Sequence, residues 1–145
     1  MTRDKKLAIA TLIIAFFIFI INTIAMKNSW YFFIWWFDMP MHAMGGFFIA
    51  LLFSSIFISS RILKIPTSSK KFFFSVMISV LIVGILWEVF ELSVEKLIQF
   101  ADLVSLQDSA SDIFYDLAGG ILGALVGLSV YKRKVKSIIS NQNNV

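Results

Sequence analysis

Four long apolar runs, separated by short polar stretches, set the pattern of this chain: about residues 7–25, 41–59, 72–100 and 112–131. A hydrocarbon layer roughly 30 Å thick takes about 20 residues of helix to cross. Each run is long enough, so the pattern predicts an all-α membrane protein, a bundle of four transmembrane helices forming a single membrane domain over residues 1–145. The segment 29–37 (SWYFFIWWF) is aromatic and nearly uncharged. Trp and Tyr favour the headgroup boundary, which predicts a short interfacial helix or loop before the second span; an aromatic patch that binds substrate is the competing reading. Residues 61–71, with Pro66, Thr67, Ser68 and Ser69, read as a short polar turn, 101–111 as an acidic, serine-containing loop, and 141–145 as a frayed polar tail. No internal repeat or long linker interrupts this order.

Composition agrees with the pattern. The chain is 59% hydrophobic, 16% aromatic and only 15% charged, with a mean hydropathy of +0.85, more apolar surface than a soluble domain of this size can hide. The absence of cysteine excludes disulfides, thiolate catalysis, thiolate metal sites and a lipid anchor on cysteine. Lys5 and Lys6 before the first run fit a signal peptide, but the run exceeds the usual core of about 7–15 residues and Thr23-Ile24-Ala25 is a poor cleavage site, so a retained span is expected.

The net charge of +4 is distributed rather than patched. Arg3, Lys5 and Lys6 precede the first span, Arg61, Lys64, Lys70 and Lys71 separate the second and third, and Lys132, Arg133, Lys134 and Lys136 follow the fourth. Only Lys27 and Lys96 fall on the opposite side. The positive-inside rule then predicts both termini in the cytoplasm, with the chain a multi-pass membrane protein. The basic tail needs no nucleic-acid partner; anionic lipid heads suit it.

The polar residues inside the apolar runs carry the candidate chemistry. Intramembrane charge costs roughly 2.5–3.5 kcal/mol per residue even on the lenient insertion scale, yet Asp38, His42, Glu88, Glu91, Asp112 and Asp116 all sit within or at the ends of spans. At 1.5 Å per residue Glu88 lies roughly 25 Å from Lys71, and Asp116 roughly 22 Å from Tyr131. His42 opens the second span. Three helices thus deliver polar groups to one layer in the outer third of the bilayer. Facing agrees with depth. Glu88, Glu91 and Glu95 fall within about 60° of one another on a helix, and Asp108, Asp112 and Asp116 form an i, i+4, i+8 stripe that continues as Gly119, Gly123 and Gly127. Small residues at that spacing admit a second helix, either in this chain or in another copy, so the stripe marks a protein-facing side and a possible oligomer contact. Gly45 follows His42 on nearly the same face.

Some of these groups have plainer roles open to them. Asp38 with Pro40 is an ordinary helix start, and Ser109 three residues before Asp112 resembles a capping box. Asp102 and Asp108 read as solvated loop charges, Glu95 and Lys96 as headgroup-facing. His42, Glu88, Glu91 and Asp116 stand out more. Crowded carboxylates repel, so protons or a cation must offset their charge. An oxygen-rich site with one imidazole suits magnesium, calcium or manganese better than copper, with zinc a further option.

The stretches Asp38-Met-Pro-Met-His42, Glu88-Val-Phe-Glu91 and Asp108-Ser-Ala-Ser-Asp112-Ile-Phe-Tyr-Asp116-Leu-Ala-Gly119-Gly120 resemble, in their order, the small bacterial membrane proteins of the VanZ-like and YjdF-like groups. VanZ-like proteins are similar in an Asp–His pair four apart, a Glu-x-x-Gln and an Asp-x-x-x-Asn-x-x-Gly. Here Glu91 stands for the glutamine and Asp116 for the asparagine, and Gln107 and Asp108 occupy the region where an arginine is usual. These departures make the site more acidic and favour the YjdF-like group. The resemblance covers roughly residues 38–127 and implies, by analogy with VanZ-like proteins and glycopeptide resistance, a role at the cell envelope.

The sequence therefore leads to an acidic site opening to the outer face. Asp38, His42, Glu88, Glu91, Asp112 and Asp116 are the expected ligands of a divalent cation, with Glu91, His42 and Asp116 as catalytic candidates acting on an envelope or lipid-linked substrate. The alternative is a non-catalytic membrane protein whose buried carboxylates serve helix packing or partner binding.

Overall fold

The computed structural model describes residues 3–59, 68–98 and 106–142. Residues 61–67 of the polar turn expected at 61–71, the loop stretch 101–105 with Asp102, and residues 143–145 lie outside the described residues, as do the side chains of Glu95 and Lys96; Ser69, Lys70 and Lys71, expected in that turn, open a helix instead. The described residues hold five helices and no strand: α1 (Arg3–Lys27), α2 (Trp30–Phe33), α3 (Asp38–Ser59), α4 (Ser69–Ile98) and α5 (Leu106–Gln142). All but α2 are long and apolar enough to cross a membrane.

Local chemistry explains several boundaries. Ser29 ends the first helical stretch by taking a left-handed backbone, φ 55° and ψ 35°, a conformation that costs a non-glycine residue about 1–2 kcal/mol. The chain then makes the single turn of α2 and bends again before Phe37, whose ring lies edge-on to Trp30 at 5.4 Å and to Tyr31 at 5.1 Å. Phe32, Phe33 and Trp35 remain exposed, as an interfacial segment requires. Asp38 in the first turn of α3 meets the positive end of the helix dipole, and Pro40 needs no N–H there. Ser68 caps α4: its Oγ accepts a hydrogen bond from the Lys71 N–H at 3.2 Å.

Two expected boundaries move. The last helix begins at Leu106, not near residue 112, so Asp108 is helical and Ser109 and Asp112 lie inside the helix instead of forming its capping box. It also runs past 131 to Gln142. At 1.5 Å per residue its 37 residues measure about 55 Å, well beyond the hydrocarbon layer. Nothing after Gly127 breaks the helix, and the run of Lys and Arg beyond Tyr131 is compatible with it in water.

The centre of the bundle is α3. It packs most extensively on α5, then on α1 and α4. Glycines allow the α3–α5 backbones to touch. A Cβ on Gly46 would collide with the carbonyl oxygen of Asp116, and one on Gly119 with that of Ala43; one on Gly123 would stand 2.6 Å from the Phe47 carbonyl oxygen, and one on Gly127 would strike Ser54 Oγ. The stripe Gly119/Gly123/Gly127 is therefore occupied within the chain, and the oligomer contact expected there has no free glycine face.

Below this crossing lies the main core, with Leu51, Ile58, Phe72, Val76, Val80 and Ala124 buried and Phe72 stacked on Tyr131 at 4.5 Å. Lys134 closes that end: its Nζ donates to Asp4 Oδ2 at 3.0 Å and to the Ile58 carbonyl at 2.7 Å, joining α1, α3 and α5. At the opposite end Ala25, Phe37 and Met41 form a smaller cluster. Outward-facing Leu12, Phe16 and Phe17 are exposed, as lipid-facing residues are.

The glycine contact generates a graded prediction. Gly46→Ala and Gly119→Ala should each destabilise the bundle by about 1–3 kcal/mol, the usual range for overpacking. Gly45→Ala should be near neutral, because its methyl would stand 3.8 Å from Asp116 Oδ1, an ordinary contact. Thermal unfolding of the three variants in detergent checks this; equal effects would mean that close backbone approach is not what holds α3 to α5.

Candidate functional site

Each helix that meets at the acidic end presents its polar groups by simple periodicity. On α3, Asp38 and His42 are one turn apart on one face. On α4, Glu88 and Glu91 are a turn apart and Gly84 lies a turn below Glu88. On α5, Asp108, Asp112 and Asp116 climb one side. The glycine crossing brings these faces together, and all six expected site residues line one cavity of about 850 Å³.

His42 is the meeting point. Its Nε2 lies 3.6 Å from Asp38 Oδ1 and 3.9 Å from Asp112 Oδ1, and its Nδ1 lies 3.5 Å from Asp116 Oδ1. These are loose ion-pair distances, longer than a charge-assisted hydrogen bond of about 2.7–2.9 Å. His42, Glu88, Asp112 and Asp116 are buried, whereas the Asp38 side chain is 41% exposed and marks the open end. Asp116 is wedged where only glycine fits: a Cβ on Gly84 would come within 2.8 Å of its Oδ2.

Glu88 differs from its neighbours. The residue is 5% exposed, lines the cavity, and neither of its carboxylate oxygens has a hydrogen-bond partner among the described residues. Burying an ionisable group without a partner costs several kcal/mol. By contrast, the Thr11 and Ser79 hydroxyls bond back to carbonyls one turn earlier in their own helices, the normal solution in a bilayer.

The donor geometry fits an ion. One ligand atom each from Asp38, His42 and Asp112 lie within 4.8 Å of one another, and so do those of His42, Glu88 and Glu91. Atoms on a sphere of about 2.0–2.6 Å around a cation are at most about 4–5 Å apart. A ligating imidazole usually directs its second nitrogen at a carboxylate. With Nε2 towards Asp38 and Asp112, Asp116 on the Nδ1 side has that orienting position.

Several residues were not legible as part of the site. Gly46 and Gly84 make room for Asp116; each stands a turn from a site residue (His42 and Glu88), and that spacing was the available signal. Tyr31 and Asn22 also line the cavity, and the Tyr31 hydroxyl donates to Asn22 Oδ1 at 2.8 Å. Burial first, then the negative charges of Asp38 and Glu91, push the Tyr31 phenol up to about 12.

Residues 3–134 match the family model described as "Predicted membrane protein (DUF2238)". No curated protein and no solved structure matches the chain significantly.

Replacing Glu88 tests how its carboxylate is held. In chelator-treated protein, Glu88→Met should leave stability unchanged or raise it by about 1–3 kcal/mol, since it removes an unsatisfied buried group at similar volume. Chemical or thermal unfolding in detergent reads the difference. A clear loss of stability would mean that the carboxylate is bonded in the native bundle.

Proposed function

This chain belongs to the DUF2238 family of predicted membrane proteins, and we propose that its acidic end is a divalent-cation site acting on an envelope or lipid-linked substrate at the outer face of a bacterial cytoplasmic membrane. The observation that carries the reading is Glu88, a buried carboxylate with no hydrogen-bond partner among the described residues, lining a cavity beside His42 and Glu91. Asp38, His42, Glu88, Glu91 and Asp112 are its ligand candidates, and Asp116 orients the imidazole. The harder, oxygen-preferring ions (magnesium, manganese, calcium) fit this donor set best, since one imidazole is outnumbered by carboxylates. A cation there would polarise a phosphoryl or carbonyl oxygen and position water for hydrolysis or transfer. Glu91, half-buried and lining the same cavity, would exchange a proton with such a substrate. The likeness to YjdF-like and VanZ-like proteins supports an envelope role, and the distribution of Lys and Arg supports cytoplasmic termini, with the whole chain acting as one membrane domain.

A second reading has its own observation. Asp116 fills a slot between Gly45, Gly46 and Gly84, as a residue serving helix packing would. In that case the carboxylates hold the bundle together and no ion is needed.

Cation binding separates the two. Manganese added to chelator-stripped wild-type protein should raise its stability, by about 2.7 kcal/mol when free ion reaches a hundred times the dissociation constant. His42→Ala and Asp112→Asn should abolish that gain. If stripped wild-type protein shows no response to manganese, magnesium, calcium or zinc, and the same variants unfold more readily, the packing reading replaces the site.

A further inference from the structure

The cavity is much larger than an ion requires. A water occupies about 30 Å³, so a cation with five or six waters fills roughly 150–200 Å³, against about 850 Å³ here. The remaining space is apolar and lies to one side of the acids. Ala15 and Ile18 of α1, Phe48 and Ile49 of α3, and Val80 and Val83 of α4 line it. Ile49 is seven residues from His42 and Val80 eight residues from Glu88, so this part reaches about 10–12 Å along the helices from the charged layer. One wall is missing. α1 packs on α3 and, more lightly, on α5, and no comparable contact joins it to α4 among the described residues. Phe19 of α1 and Phe90 of α4 line the cavity while being more than half exposed, which puts them at its mouth. Both helices are long and apolar enough to cross a bilayer, so the mouth faces acyl chains.

We propose that this cavity admits an amphiphile with a phosphate head sideways from the membrane: the head reaches the acidic layer, and the hydrocarbon chain lies in the gap between α1 and α4. The inference rests on the cation reading above and names the substrate class of that site. Charge selects the head. Carboxylates repel a bare phosphate, and a cation held among them turns that repulsion into attraction; hard cations share their coordination between carboxylates and phosphate oxygens. The unpartnered Glu88 carboxylate, aimed into the same cavity, is the group that gains a partner. Shape selects the chain. A soluble phosphate would use the charged layer and leave the apolar arm unfilled, whereas an amphiphile fills both and keeps its tail in lipid.

The test uses the full chain in maltoside micelles with manganese as the ion, because bound manganese broadens the phosphorus resonance of a phosphate that coordinates it. Dodecyl phosphate and inorganic phosphate are compared on the wild type, on Ala15→Trp and on Val83→Trp, two variants that fill opposite walls of the apolar arm. Micelles concentrate dodecyl phosphate equally for all three proteins, so differences among them read the cavity alone. Each variant should bind manganese and inorganic phosphate as the wild type does and bind dodecyl phosphate at least tenfold more weakly. Unchanged dodecyl phosphate binding in a variant that retains manganese overturns this inference and leaves the cation reading standing. Failure of the wild type to bind manganese removes both. Tighter binding of dodecyltrimethylammonium to the ion-free protein than of dodecyl phosphate to the loaded one would assign a cationic head and overturn the phosphate.

Discussion

The meeting of α3 and α5 through Gly46 and Gly119 is the contact on which the rest depends. Packed helices ordinarily keep their axes about 8–10 Å apart, and small residues allow a closer approach. Here each glycine faces the other helix's backbone: Gly46 the carbonyl of Asp116, Gly119 that of Ala43. The contact is reciprocal, so it fixes register as well as distance. With register fixed, His42 stands beside Asp112 and Asp116, and α4 can close the third side only because Gly84 leaves space for the Asp116 carboxylate. Sliding α5 by one turn, about 5.4 Å, would pair side chains with backbone and separate the imidazole from its acids.

That geometry concentrates carboxyl groups in the least favourable solvent for their charged form. Elsewhere the bundle follows the rules of the bilayer. Hydroxyls bond back to their own helices, and Lys134, the cation tied into the described helices, is satisfied by Asp4 and a carbonyl. Among the described residues, the buried side-chain atoms without a hydrogen-bond partner are Ser54 Oγ, Ser55 Oγ and the two oxygens of Glu88. The serines are neutral, and Ser54 sits against Gly127 where α3 and α5 touch, so a helix-packing role accounts for it. Glu88 has no such explanation. It lines the cavity beside His42 and Glu91, with neither oxygen hydrogen-bonded among the described residues.

Much of this was legible from residue order. The four spans follow from apolar length, and the convergence of Asp38, His42, Glu88, Glu91, Asp112 and Asp116 from their common depth and helical facing. What periodicity could not provide was the arrangement of helices around one another. It gives each helix a polar face but not the neighbour that face meets, so Gly84 of α4 could not be matched to Asp116 of α5, nor the Gly119 stripe assigned to α3 over a second copy. The early start of α5 was hidden for a related reason. Leu106 to Ser111 is polar enough to read as loop, and its helicity comes from continuing a helix already anchored by Asp112 and Asp116.

The open side of the cavity follows from how α1 is held. Near its start Leu7 joins the main core, and Asp4 binds Lys134. Near its end Ala25 is locked against Phe37 and Met41. Between these pins Ile14 and Ile18 pack inward against the two clusters, while Leu12, Phe16 and Phe17 are exposed. A helix pinned at both ends and apolar on all sides has no need of a fourth neighbour, because lipid solvates it as well as protein does. In water such a gap would collapse, since apolar surfaces there are driven together. In a bilayer that drive is absent, and the space between α1 and α4 persists at little cost. The same solvent that makes the acids expensive therefore makes an apolar passage beside them inexpensive, and the two are adjacent in this fold because α3 borders both.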